Sequence, residues 1–201
     1  MRKALAAAAL LLGLVAGPAQ AGALVEGVLR GVPIRLETGT DPVMVRVRLG
    51  QAELLVDLGR DLLVPLEPAA LPIDAADLVD ATAGQRFVLM LWGGRRPTIA
   101  GEKGAYFVLT RLGRTCGEVL AATWTRPLIA PLVAAIDLLE RSLPSLRPAE
   151  WQGCGAVPFR AFAGRGWPLL AGGLDSRQFE TTRISFDHQP DEGRFQRPGP
   201  L

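Results

Sequence analysis

The stretch from Val43 to Pro65, VMVRVRLGQAELLVDLGRDLLVP, decides the fold class. In its first half, apolar residues alternate with arginine or methionine; the apolar positions are Val43, Val45, Val47 and Leu49. This period of two residues predicts a strand with one buried face. The apolar run Leu54-Leu55-Val56 follows the turn Gly50-Gln51 and predicts a second strand. Together the two strands and the turn predict a β-hairpin.

The sequence on both sides of this hairpin also predicts mainly strands. Short apolar runs alternate with glycine-containing turns, and they span Leu24–Leu29, Val32–Leu36, Phe87–Trp92 and Tyr106–Thr110. One helix is predicted to begin near Pro127 or Pro131, because leucine and isoleucine then recur every three or four residues until Pro144. Meander spacing of this kind predicts a mainly β fold with one or two short helices.

The first 21 residues have the pattern of a cleavable secretory signal peptide. Arg2 and Lys3 precede an apolar run from Ala4 to Ala16, and Ala19-Gln20-Ala21 supplies a small-residue cleavage site. The run is shorter than the about 20 residues that a membrane-spanning helix needs. We therefore expect a periplasmic or secreted protein without a membrane span after cleavage. Residues 22–188 are expected to form the folded domain, and residues 189–201 a flexible tail.

The composition argues against two classes of function. Without the first 21 residues, the chain has 20 basic and 20 acidic residues and no basic stripe with interleaved aromatic residues. Nucleic acid is therefore not an expected partner. The single histidine, His188, lies far in sequence from both cysteines. Because a zinc site needs three or four closely spaced ligands, we expect no metal and no cofactor.

The two cysteines, Cys116 and Cys154, support two interpretations. An even number of cysteines in an exported chain predicts a disulfide. The alternative is a catalytic thiol, because the residues from Trp151 to Gly155 are similar to those around the cysteine of papain-type peptidases. That chemistry needs a histidine and a residue that orients it, and the chain contains no asparagine. The disulfide is therefore the favoured interpretation.

Two segments resemble the retropepsin-like family of aspartic peptidases. The first is Val43–Pro65, in which the hairpin leads to an apolar triplet and then to Asp57-Leu58-Gly59, in the place of the family's Asp-Thr/Ser-Gly motif. The second is PLLAGGLDSRQFETTRISFD, residues 168–187, which resembles the family's distal motif. Its apolar pair is Leu169-Leu170, and its glycine is Gly172 or Gly173. The resemblance implies a short helix from Leu174-Asp175 that contains Phe179, followed by a closing strand.

The resemblance also implies a fold and a chemistry. The expected fold is the closed β-barrel of a retropepsin or of one pepsin lobe. The catalytic residues would be Asp57 and Gly59, with a flap over the site formed by Trp92, Gly93 and Gly94. Two aspartates about 3 Å apart would share one proton and activate a water for peptide hydrolysis. Because the motif occurs once in this chain, such an enzyme would be a homodimer with a peptide or protein substrate.

Leu58 departs from the family motif, because it lacks the hydroxyl that braces the two catalytic loops. Non-catalytic relatives with this fold, such as plant endoglucanase- and xylanase-inhibitor proteins, also have a non-hydroxyl residue there. The sequence thus leaves three hypotheses: an exported aspartic endopeptidase, a catalytically silent binding or accessory module on the same fold, and an unrelated β-sandwich that binds a partner. The position of Asp57, in a cleft or not, separates the first hypothesis from the others.

Overall fold

The structure is a computed structural model, and it describes residues 22–66, 73–74, 78, 80, 82–94, 97–148, 150–151, 153–173 and 176–196. The expected signal peptide (residues 1–21) and the end of the expected tail (residues 197–201) lie outside the described residues. The first strand begins at Gly22, directly after the expected cleavage site.

Strands dominate the described chain. They are β1 (Gly22–Leu29), β2 (Val32–Thr38), β3 (Met44–Leu49), β4 (Ala52–Asp57), β5 (Leu62–Pro65), β6 (Ile73–Asp74), β7 (Val88–Leu91), β8 (Thr98–Ile99), β9 (Glu102–Lys103), β10 (Ala105–Arg111), β11 (Arg114–Ala122), β12 (Glu150–Trp151), β13 (Gly155–Ala156), β14 (Trp167–Gly172) and β15 (Arg177–His188). The α-helices are α1 (Ala130–Ser142) and α2 (Phe159–Phe162), and 3-10 turns cover Thr123–Leu128, Pro144–Leu146 and Glu192–Phe195. The mainly β class is confirmed, as are the hairpin β3–β4 and the helix before Pro144.

Eleven of these strands form one antiparallel sheet, in the order β6-β5-β4-β3-β2-β1-β15-β14-β11-β10-β7. Neighbours in the sheet are mostly neighbours in sequence, because short turns connect antiparallel strands. The first strand, β1, pairs with the last, β15, from Gly22 opposite His188 to Leu29 opposite Phe179. This pairing joins the N-terminal and C-terminal halves of the meander.

The expected closed barrel is not found in the described residues. The sheet ends at β6 on one side and at β7 on the other, and these two strands do not pair with each other. Closure needs a continuous ladder of hydrogen bonds between the two edges. β6 has only two residues and β7 has four, so the edges offer little backbone for such a ladder. The sheet is therefore open along the part of the chain that the structure describes.

The helices cover the inner face of the sheet and complete the core. α1 begins with a proline in its first turn and buries the stripe Leu132, Ala135, Ile136 and Leu139. This spacing places the four side chains on one face of the helix. The core continues with Phe159, Trp167 and Phe179, whose rings pack edge-to-face or tilted with centroids 5.0–5.7 Å apart. α1 and α2 thereby fix the segment 129–166 against the strands.

The predicted disulfide is present between Cys116, on β11, and Cys154, in the turn between β12 and β13. Both residues are buried in the main core. The bond closes a loop with a sequence separation of 38 residues, and this loop contains α1. It therefore attaches the helical insertion directly to the sheet.

One expectation for the C-terminal region is wrong. Phe179 does not lie in a short helix but in β15, a strand of 12 residues, because its backbone pairs with both β1 and β14. The expected start of that helix, Leu174-Asp175, lies outside the described residues. Residues 189–196, at the start of the expected tail, contact the domain at two places. Phe195 is buried against Leu55 and Val64, and the Glu192 carboxylate accepts a hydrogen bond from the Thr40 N–H at 2.9 Å.

Candidate functional site

Asp57 is the last residue of β4, and its carboxylate is directed into the protein. Its side chain is 4% exposed. Oδ1 accepts a hydrogen bond from the Gly59 N–H at 3.0 Å, while the Arg60 N–H donates to the Asp57 carbonyl at 3.3 Å. This is the local turn geometry that aspartate commonly adopts. The turn joins β4 to β5, with Asp57 opposite Leu62.

The neighbours of Asp57 explain its burial. On antiparallel strands, directly paired residues point to the same face, and Asp57 is paired with Met44 on one side and Leu62 on the other. These two side chains pack against the small cluster that contains the buried Phe195. Leu58 is half-buried and packs against the main core. Leu58 therefore contributes to packing at the position where the peptidase motif has Thr or Ser.

The two segments that resemble the aspartic peptidase family do not meet in the sheet. Asp57 and Gly59 lie at the end of β4, whereas Leu169, Leu170 and Gly172 lie on β14. The strands β3, β2, β1 and β15 separate β4 from β14. The expected flap is also distant in strand order, because β7 is the opposite edge of the sheet. In strand order, the predicted catalytic residues, flap and distal motif therefore lie on three separate parts of the sheet.

The strand register instead places the expected flap and the distal motif on one surface. Trp92 continues the pairing of β7, since its N–H donates to the Tyr106 carbonyl at 2.9 Å. Tyr106 is opposite Leu120, and Leu120 is opposite Leu170. Paired residues share a face of the sheet. These four side chains therefore form a row across β7, β10, β11 and β14.

A second row runs parallel to the first. It consists of Met90, Val108, Glu118 and Gly172, which are opposite one another in turn. Gly172 has no side chain, so the row ends in a depression beside Glu118. Met90 and Trp92 are 52% and 67% exposed, so this outer face is open at the β7 edge. Large exposed apolar groups that lie together are typical of interaction sites.

Two shallow cavities follow these rows and share Tyr106 and Glu118. One has a volume of about 320 Å³ and is lined by Trp92 and Gly93. The other has a volume of about 330 Å³ and is lined by Leu170, Gly172 and Gly173. We call this combined depression the outer groove. The β8–β9 hairpin flanks it, because Ile99 packs against Leu120 and Leu169, and Glu102 accepts a hydrogen bond from Trp124 at 2.8 Å.

Glu118 is the acidic group of the outer groove. It is exposed, and the described part of the chain provides it with no hydrogen bond or ion pair. The other charged residue in the groove, Arg177, is paired with Glu180 at 2.6 Å. A cation in this groove can interact with the negative charge of Glu118 and with the faces of the Tyr106 and Trp92 rings.

A larger cavity lies between α1 and α2 and has a volume of about 510 Å³. We call it the charged cleft. Its charged lining residues are Asp80, Asp137, Glu140, Arg141, Arg147, Glu150 and Arg160, and Leu78, Pro148 and Ala156 add apolar surface. Arg160 binds Asp137 and, at 2.8 Å, Asp80. These ion pairs fix α2 against α1 and against the segment that contains Asp80.

Glu140 is the most perturbed acid of the charged cleft. Burial raises the pKa of Glu140 to about 7, although the Arg30 guanidinium at 2.6 Å and the Phe159 N–H act in the opposite direction. The side chain is only 3% exposed. Burial also raises the pKa of Asp80, but hydrogen bonds from Thr82 and the charge of Arg160 outweigh it, so this pKa lies below its ordinary value.

Sequence reasoning missed the key residues of both cavities. Glu118 follows Cys116 and Gly117 in a strand, where a single exposed acid is unremarkable; only the register reveals its aromatic neighbours. In α1, Asp137, Glu140 and Arg141 are spaced so that they lie on one face of the helix. This spacing can be recognised in the sequence and predicts a charged helix face. Their partners Arg30 and Arg160 lie far away in sequence.

The described residues contain neither a metal-binding cluster nor a membrane-spanning helix. No group of three or more His, Cys, Asp or Glu side chains there has an arrangement that could hold a metal ion. Among the same residues, no helix has the length and apolar character required to cross a membrane.

Comparisons with known proteins found no relatives. No protein-family model, no curated protein and no solved structure matches the chain.

Proposed function

We propose that this chain is an exported, catalytically silent module that binds an extended peptide segment with a cationic side chain in the outer groove. The observation that carries the proposal is the Glu118 carboxylate, which has no partner among the described residues and lies on an exposed apolar and aromatic surface. Such a surface complements a lysine or arginine, whose aliphatic stem packs on apolar side chains while its charged head meets the carboxylate.

The position of Asp57 supports a binding role rather than peptide hydrolysis. An aspartic dyad would bring two Asp57 carboxylates to about 3 Å from each other across a dimer. A carboxylate that is 4% exposed and bonded to Gly59 is not presented to a second copy. The proposed binding mode uses one chain only. The walls of the outer groove include residues that the sequence assigned to a flap and to a distal motif. They are Trp92, Gly93, Leu170, Gly172 and Gly173.

Glu118→Gln should weaken binding of a basic peptide by about tenfold or more, because charge-assisted hydrogen bonds contribute well over 1 kcal/mol. The probe is a fluorescently labelled eight-residue peptide with one lysine between apolar residues. Its counterpart has glutamate in place of lysine, and binding is measured by fluorescence anisotropy. The lysine peptide is expected to bind and the glutamate peptide is not.

The matched control is Asp187→Asn, which removes another exposed acid that lines neither the outer groove nor the larger cavity between α1 and α2. This variant should bind the lysine peptide as the unmodified protein does. Equal binding of the two peptides, or an unchanged affinity in the Glu118→Gln variant, would show that the groove does not recognise a cation.

A further inference from the structure

The charged cleft contains charged groups whose bonding capacity is not fully used by the residues that the structure describes. Asp80 and Asp137 are satisfied by Arg160, and Glu140 is satisfied by Arg30 and the Phe159 N–H. These carboxylates therefore serve structure. The remaining charged residues of the lining are Arg141, Arg147 and Glu150, and they form fewer bonds with the described residues.

Arg141 lines the cleft with little hydrogen bonding of its own. Its Nε is buried, lies 3.5 Å from Asp137 Oδ2 and forms no hydrogen bond within the described chain. Its Nη2 is 3.8 Å from the half-exposed Asp61. Buried donors are nearly always hydrogen-bonded in proteins, and an unsatisfied one carries a desolvation cost. The guanidinium of Arg141 also reaches its two acidic neighbours only at 3.5 and 3.8 Å, so an acceptor in the cleft that it lines would stabilise it.

Arg147 and Glu150 flank the same cavity and have opposite charge. The described residues provide neither of them with an ion pair or a side-chain hydrogen bond. Two arginines with unused donors fit a carboxylate, which guanidinium groups bind through paired hydrogen bonds. A free glutamate at the same rim fits a protonated amine. The apolar patch of Leu78, Pro148 and Ala156 completes the lining.

From this arrangement we propose that the charged cleft binds a small zwitterion, a free amino acid with an apolar side chain. Its carboxylate is held by Arg141 and Arg147, and its ammonium group by Glu150. The acids that line the cleft favour a singly charged carboxylate over a phosphate, because Asp80, Asp137 and Glu150 in the same lining repel each further negative charge. The volume of about 510 Å³ accommodates a molecule of this size. The proposal does not depend on peptide binding in the outer groove.

The test is calorimetric titration of the protein with each of the apolar amino acids in turn. Leucine is then compared with 4-methylpentanoate, which lacks the amine, with leucinamide, which lacks the carboxylate, and with inorganic phosphate. We expect at least one amino acid to bind and its two truncated analogues to bind at least about tenfold more weakly, the scale of one lost charge-assisted contact. Phosphate is expected not to compete.

Variants identify the site. Arg147→Gln and Glu150→Gln should each reduce the affinity by about tenfold or more, and both residues are exposed without described partners, so folding should be unaffected. Arg165→Gln, at an exposed arginine outside the cleft lining, should leave the affinity unchanged. Absence of binding by all the amino acids, preferential binding of phosphate, or wild-type affinity in the Arg147→Gln variant would each overturn the proposal.

Discussion

Removal of the Cys116–Cys154 disulfide is expected to lower the free energy of unfolding by about 3–4 kcal/mol, the value for closure of a loop of this length in the chain-entropy model. The loop holds α1, so without the bond the unfolded chain regains the freedom of a whole helical insertion. The measurement is urea unfolding of the Cys116→Ser/Cys154→Ser variant beside the oxidised protein. Thiol labelling of the denatured, unreduced protein should detect no reactive cysteine.

The reduced wild-type protein is the control for this prediction, because it loses the bond without a change of sequence. It should unfold at the same urea concentration as the double variant. Two reactive thiols per chain in the unreduced protein would contradict the disulfide itself. Equal unfolding midpoints with and without the bond would contradict the expected contribution to stability.

Because of Glu140, the free energy of unfolding is expected to be about 3 kcal/mol lower at pH 7 and above than at pH 4.5. A protein in which this group does not ionise would not show this difference. Burial raises the pKa of Glu140 from an ordinary 4.5 to about 7. Between these values the native state holds a proton that the unfolded state has released. The unfolding free energy therefore falls as pH rises, and the stabilisation is fully present below pH 4.5 and lost as pH passes 7.

The Glu140→Gln variant isolates this effect, because glutamine preserves the shape of the side chain and cannot ionise. The difference in unfolding free energy between wild type and variant should change by about 3 kcal/mol from pH 4.5 to pH 7.5. Urea unfolding at a series of pH values measures it. Asp80→Asn provides a comparison with the opposite sign, because the pKa of Asp80 is lowered. A constant difference between wild type and Glu140→Gln would contradict the raised pKa.

Local sequence patterns were sufficient for the elements that depend on local forces. The alternation in Val43–Leu49 gave the strand β3, and the spacing of Leu132, Ile136 and Leu139 gave α1. The disulfide followed from the number of cysteines and the expected compartment. In each case, the residues that determine the structure are close in sequence or unique in type.

The tertiary arrangement depended on long-range pairing that local patterns do not contain. Phe179 was expected in a helix because its segment resembles the distal motif of the peptidase family, but β15 is held as a strand by β1, far earlier in the chain. Met44 and Leu62, the strand partners of Asp57, pack against a cluster that contains Phe195, a residue of the expected tail. The outer groove depends on the register of four strands, and the sequence does not specify register across β11 and β14.

The resemblance to aspartic peptidases remains a sequence hypothesis with a specific structural consequence. It places Asp57 at the reaction centre, whereas our proposal places Glu118 at a binding site and leaves Asp57 as a turn residue. Asp57→Asn should then cost only about 1 kcal/mol of stability, the scale of one such hydrogen bond. The two accounts thus differ in which carboxylate controls the interaction with a peptide.

The most direct test is incubation of the purified protein with a random peptide library from pH 3 to pH 7, followed by mass spectrometry of both the captured and the cleaved peptides. Our account predicts that intact peptides with lysine or arginine beside apolar residues are captured, that capture is lost in Glu118→Gln, and that Asp57→Asn captures as wild type does. Specific cleavage that disappears in Asp57→Asn, or capture without preference for basic residues, would contradict it.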